Sequence, residues 1–196
     1  MKYQSASAFR AAIDAHLKRY AAEHGQAALT RARKHIVFER FLTRLFAVAP
    51  DQWTLEGGVA LDYCIGDKAR ATRDIDFLYD PDLARLDEDL AMAESTDLGD
   101  FFVFSITRTA KLDGLTDGSA IRYHVQAEMD SRKFEEFIVD VGFDAPPQLS
   151  TNLVHRTGFL EFAGIESPRV PALAIEIHLA EKIYAYSKHY PRRSSQ

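Results

Sequence analysis

The chain has 196 residues, 46% hydrophobic and 27% charged, with a formal net charge of −5. This is enough for one large domain or two small ones with a real core, and the charge excludes a uniformly basic nucleic-acid binder. The single cysteine, Cys64, excludes an internal disulfide framework and a multi-Cys zinc site. The N-terminal MKYQSASAF is too polar for a signal peptide, and no apolar run approaches the roughly 20 residues that cross a bilayer. A cytoplasmic protein with no membrane partner is expected.

Ser5 or Ser7 can cap a helix that runs to about Glu23 and stops at Gly25, with Phe9, Ile13 and Leu17 at helical spacing. A second helix is predicted over Ala27 to Phe46, where Val37, Phe38, Phe41, Leu42, Leu45 and Phe46 form a broad apolar face. Between Arg10 and Arg44 bases outnumber acids, whereas between Asp74 and Asp100 acids prevail and Arg85 is the one base. The first region reads as a basic helical face suited to a polyanion, or as an ordinary solvated face.

Trp53 to Glu56 reads as a short strand, followed by Gly57-Gly58 and a helix to about Ile65. Cys64 falls in the apolar ALDYCI and reads as a small core residue. A second strand spans Asp74 to Tyr79, ended by Asp80-Pro81, and a helix is predicted over Asp82 to Met92. Strand-like runs follow at Phe101 to Thr109, Ala120 to Met129 and Phe137 to Phe143, the first two separated by Asp117-Gly118. Phe159 to Ala163 reads as a further short strand. Leu173 to Tyr186 reads as a helix with Ile175, Leu179, Ile183 and Tyr186 on one face. This order implies an α+β domain, or a mixed sheet flanked by helices.

Asp74 and Asp76 lie two apart on a predicted strand, so both carboxylates face one side. Close carboxylates repel unless a cation or proton lies between them. Oxygen donors of this kind suit Mg²⁺, which shares its remaining positions with water and substrate phosphate. The other reading is an edge strand with both acids in solvent. Asp140 stands inside the apolar FIVDVGF, where an unpartnered carboxylate is costly. It either pairs with an arginine or faces the metal site, and the metal site is the favoured expectation. Gly57 and Gly58 allow close backbone approach at a helix start, where N–H groups bind phosphate. Arg70 is the expected bidentate phosphate contact. Thr72 supplies a hydroxyl contact or caps the turn. A DxD also opens aspartyl-phosphate phosphatase sites, but Leu78 stands where those carry Thr or Val.

These residues resemble the nucleotidyltransferase superfamily: a strand, a Gly-Gly turn into a helix, a DxD strand and a third carboxylate on a neighbouring strand. Within it the chain is most similar to the AbiEii/AbiGii nucleotidyl transferase toxin family, through LEGGVALDYC, RATRDIDFL, IVDVGF and LAEKIYAYSKHY. The resemblance covers roughly residues 26 to 190. It implies a nucleotidyltransferase-like mixed β-sheet flanked by helices, with Asp74, Asp76 and Asp140 on Mg²⁺ (or Mn²⁺) and Gly57 and Gly58 on the phosphates of an NTP. Lys182, in the AEK helix, would contact the nucleotide, an assignment that rests on the resemblance alone. The implied activity is transfer of a nucleoside monophosphate from an NTP to an acceptor, tRNA or another RNA. The chain would then be the toxin of a toxin–antitoxin or abortive-infection system with a cognate antitoxin.

Two features depart from the family pattern. Val59 stands where many relatives carry Ser or Thr, and the family's later acidic motif and helical C-terminal domain are expected to be absent from the chain as it runs to Gln196. The expected organisation is a helical segment over residues 1–50, a catalytic core over 51–190 and a polar tail over 191–196. The alternative readings are an incomplete module that binds nucleotide or antitoxin without turnover, and an enzyme that modifies protein, including itself.

Overall fold

Ser5 starts the first helix, α1 (Ala6–His24), by accepting the Ala8 N–H on its hydroxyl at 3.3 Å. Gly25, at φ 89°, ends α1 and opens α2 (Gln26–Val48). The computed structural model describes residues 1–66, 72–79, 83–112, 120–143 and 150–187. After the two helices come β1 (Trp53–Glu56), α3 (Gly57–Ile65), β2 (Asp74–Tyr79) and α4 (Leu83–Ser95). Then follow β3 (Val103–Leu112), β4 (Ala120–Met129), β5 (Arg132–Gly142), β6 (Thr151–His155), β7 (Arg169–Leu173) and α5 (Ile175–Ser187). The expected turns at Asp80-Pro81 and Asp117-Gly118 lie outside the described residues, as does the segment 191–196.

The strands form one sheet in the order β3-β4-β5-β2-β1-β7-β6. β2 runs parallel to β5 and β1 parallel to β7, while the other neighbours are antiparallel. The α+β class and mixed sheet expected from the sequence are therefore present.

Alternation along the strands separates two faces. On β4, Ile121, Tyr123, Val125, Ala127 and Met129 are buried, whereas Arg122, His124, Gln126 and Glu128 are half-buried. The buried face meets the helices. Phe38 and Phe41 of α2 lie edge-on to Phe137 of β5, with ring centroids 5.2 and 5.3 Å away. Each such buried aromatic side chain contributes roughly 1.5–3 kcal/mol of hydrophobic stabilisation. Phe9, Ile13 and Leu17 of α1 join the same core cluster.

Several readings change. Glu161–Ala163 is a 3-10 turn, not a strand, because Phe159 and Phe162 pack on Tyr20, Tyr3 and His16 of the N-terminal region without strand pairing. β6 and β7 had no expectation. Cys64 is exposed, because α3 turns Val59, Ala60, Asp62 and Tyr63 inward. On α5, Leu179 and Ile183 are exposed; among its described side chains His178 is buried, as is Ala174 just ahead of the helix.

The basic helical face is largely an internal fastening. Arg10 donates to the carbonyls of Met129, Arg132 and Lys133 at 2.8–3.1 Å. Arg33 donates to the Phe134 carbonyl and lies over its ring at 4.2 Å. Arg40 and Arg44 both grip the buried Asp100. Lys18 and Arg19 remain exposed on α1. Neither expected reading, a polyanion-binding face or an ordinary solvated face, describes these helices as a whole: most of their bases are consumed by tertiary contacts.

Candidate active site

β2 leaves Asp74 and Asp76 half-buried on the sheet face away from α2, while Ile75 and Phe77 point into the core. β5 pairs alongside in register, with Asp76 opposite Asp140. One carboxylate oxygen from each of Asp74, Asp76 and Asp140 lies within 4.8 Å of the others. Such a set of hard oxygen donors fits Mg²⁺ or Mn²⁺.

The register extends further. Glu56 pairs with Asp76 across β1 and β2, and Arg122 pairs with Asp140 across β4 and β5. Glu56, Asp76, Asp140 and Arg122 thus form one rung across four strands. Directly paired residues project to the same face, so the rung aligns three acids and one base. Arg122 donates from Nε and Nη2 to the two Asp140 oxygens, each at 2.7 Å. These bonds raise the Arg122 pKa, and the charges of Asp140, Asp74 and Asp76 add to the effect. Asp140 is paired with an arginine, one of its two expected roles, and it also lies in the acidic cluster to which the other reading assigns a metal.

Gly57 explains how α3 reaches this cluster. It has φ 67°, and a β-carbon there would sit 1.9 Å from the Asp76 Oδ2. Only glycine admits the carboxylate against the helix start. At Gly58 a β-carbon would lie 2.9 Å from both Cβ and Oγ1 of Thr72. The Thr72 hydroxyl donates to Asp74 Oδ1 at 2.5 Å, so it orients a carboxylate within the protein. α3 is held from its inner side by Asp62. That buried carboxylate accepts from Arg31 at 2.6 Å, lies 3.1 Å from His35 and is also bonded by Arg156.

The structure therefore brings together Asp74, Asp76, Asp140, Gly57, Gly58 and Thr72. Arg70 lies outside the described residues, and Lys182 is placed on α5 with its side chain outside them. Sequence reasoning missed Arg122 and Glu56. The alternation of AIRYHVQAEM assigns Arg122 to the polar face of β4, but the register that sets it opposite Asp140 is not readable from one strand.

A mixed sheet with a Gly-Gly helix start, a DxD strand and a third acid on the adjoining parallel strand is the nucleotidyltransferase fold. Residues 40–196 match the family described as nucleotidyl transferase AbiEii toxin, type IV TA system, and the chain belongs to that family. Among solved structures it is similar to JHP933 from Helicobacter pylori, at a TM-score of 0.51 and 17% identity, over 79% of this chain and 58% of that one. A second H. pylori protein, assigned as a candidate nucleotidyltransferase, aligns at a TM-score of 0.47 and 20% identity, over 76% of this chain and 57% of that one. The chain thus spans less than two thirds of the length of either structure. No curated protein matches it.

Proposed function

We propose that the protein transfers a nucleoside monophosphate from an NTP to an RNA acceptor, tRNA foremost, as the toxin of a toxin–antitoxin pair. The observation that carries this reading is the meeting of Asp74, Asp76 and Asp140 beside the Gly57 turn. These three carboxylates would hold Mg²⁺ or Mn²⁺. When bound, such an ion neutralises phosphate charge and positions the reacting groups. Thr72 orients Asp74, and the Gly57-Gly58 backbone at the start of α3 offers N–H groups to the triphosphate. Arg70 and Lys182 are assigned to the nucleotide on chemistry and resemblance respectively. In the transfer, the acceptor oxygen bonds to the α-phosphorus as the bond to the β-phosphate oxygen breaks. Pyrophosphate leaves with the electron pair and the hydroxyl proton passes to solvent. The chain's part is chiefly positioning and electrostatics.

The family is one of type IV toxin–antitoxin toxins, and a cognate antitoxin protein is the proposed macromolecular partner. The test is incubation with each α-labelled NTP, Mg²⁺ and total tRNA, with Asp76→Ala alongside. Label on RNA that Asp76→Ala fails to produce is the expected result, with a loss of at least about 100-fold. Label on the protein would replace the RNA acceptor with self-modification. NTP binding without label would make this a binding module.

A further inference from the structure

We infer that Arg122 is a cation placeholder, holding Asp140 until a divalent ion claims its oxygens and then engaging the phosphates of the incoming nucleotide. This rests on the reading of Asp74, Asp76 and Asp140 as the metal site. Three observations carry it. The guanidinium fork takes both Asp140 oxygens at 2.7 Å, so the arginine occupies the donors that the cluster would offer to an ion. Arg122 is the base on a rung whose other members, Glu56, Asp76 and Asp140, are acids. Its side chain is 41% exposed, against 17% for Asp140, so it can swing away without disturbing the core.

The consequence follows from charge and geometry. A guanidinium beside a cation site repels the ion and competes for its ligands. Once the ion is bound, the same fork is released beside the site. A planar guanidinium matches phosphate oxygens in the same two-point geometry as it matches a carboxylate. Nucleotide binding then compensates Arg122 for the partner it gives up, and ion and nucleotide binding become mutually favourable.

A residue that only steadies Asp140 behaves oppositely, because its loss weakens the ion site. The sign of the effect on metal affinity therefore separates the two roles. Mn²⁺ binding to the 196-residue chain is measured by calorimetry and by the spin resonance of free Mn²⁺, for wild type, Arg122→Gln and Arg122→Lys. Binding of the four α,β-methylene nucleoside triphosphates at saturating Mn²⁺ is measured on the same proteins.

For Arg122→Gln, Mn²⁺ binding without nucleotide tightens by about tenfold, and analogue binding weakens by about tenfold, as expected for one charge a few ångströms from each ligand. Arg122→Lys, which keeps the charge but not the fork, falls between. Unchanged or weaker Mn²⁺ binding in Arg122→Gln overturns the inference while leaving the metal site in place, as does unchanged analogue binding. A wild-type chain that binds no Mn²⁺ overturns the metal-site reading and this inference with it.

Discussion

Asp100 and Asp140 both accept hydrogen bonds from arginine, yet they belong to different regions and do different work. Asp100 sits under α2 at 2% exposure, gripped by Arg40 and Arg44 and accepting the Phe102 N–H. Burial pushes its carboxyl pKa up, but the hydrogen bonds and charge of Arg44, then those of Arg40, outweigh this and hold it below the ordinary value. Among the described residues Asp140 has the Arg122 fork and two acidic neighbours, and it lies half-buried on the far face of the sheet. The first arrangement is closed: two guanidiniums and a backbone N–H take up the buried carboxylate. The second gathers three carboxylates beside one arginine among the described residues, so it gains by admitting a cation. An arginine–carboxylate pair therefore marks a fastening or a binding site according to what surrounds it.

The largest expected effect breaks the closed arrangement. Asp100→Ala leaves two guanidiniums without their buried partner and destabilises the fold by about 3–5 kcal/mol in chemical denaturation. Asp140→Ala changes stability by about 1 kcal/mol or less without divalent ions, because its pair is partly exposed. Equal losses in the two variants would erase the distinction.

Glu39 sharpens the comparison from within α2. Buried like Asp100, it is pushed up to about 8, chiefly by desolvation; Arg40 and Arg156 oppose the shift, while Glu161 and Asp62 add to it. Below about pH 4.5 the carboxyl is protonated in folded and unfolded chains alike. Between 4.5 and 8 the unfolded chain has released the proton and the folded chain retains it, so stability falls as pH rises. Relative to Glu39→Gln, the wild type loses at most about 1.4 kcal/mol per pH unit across that window. A flat difference would mean that Glu39 is ionised in the fold, as Asp100 is.

Gly57→Ala tests the open site directly. Its β-carbon collides with Asp76, and its φ is unfavourable for alanine. A cost of about 1–3 kcal/mol is expected, together with weaker Mn²⁺ binding. Thr72→Val is the mildest change. Losing the hydroxyl that orients Asp74 should weaken Mn²⁺ binding by about tenfold with the fold intact, and unchanged affinity would reduce Thr72 to a turn residue.

Much of this was legible in the sequence where the cause is local. Ser5, Gly25 and the apolar spacings fix α1 and α2, and the two-residue spacing of Asp74 and Asp76 fixes their common side. β6 and β7 were not legible. β6 is an exposed edge strand without alternation, and β7 is short with Pro171 within it. Phe159 and Phe162 suggested a strand because aromatic residues favour strands, but their partners are distant helices. The bases of α2 looked like surface charge for a related reason. Arg44 reaches Asp100 and Phe102, more than fifty positions away, and no spacing within the helix encodes that.

The three carbonyls gripped by Arg10 have a practical consequence for anyone trimming this protein. The family match begins at residue 40, partway along α2, but the fold does not. A gene cut at that point would remove Arg10 from the β4–β5 turn, take Phe9, Ile13 and Leu17 out of the core, and expose the apolar faces they cover. The product is expected to aggregate on expression. The shortest fragment worth making therefore starts ahead of Ser5, and a limited digest of the intact chain should leave α1 attached to the sheet.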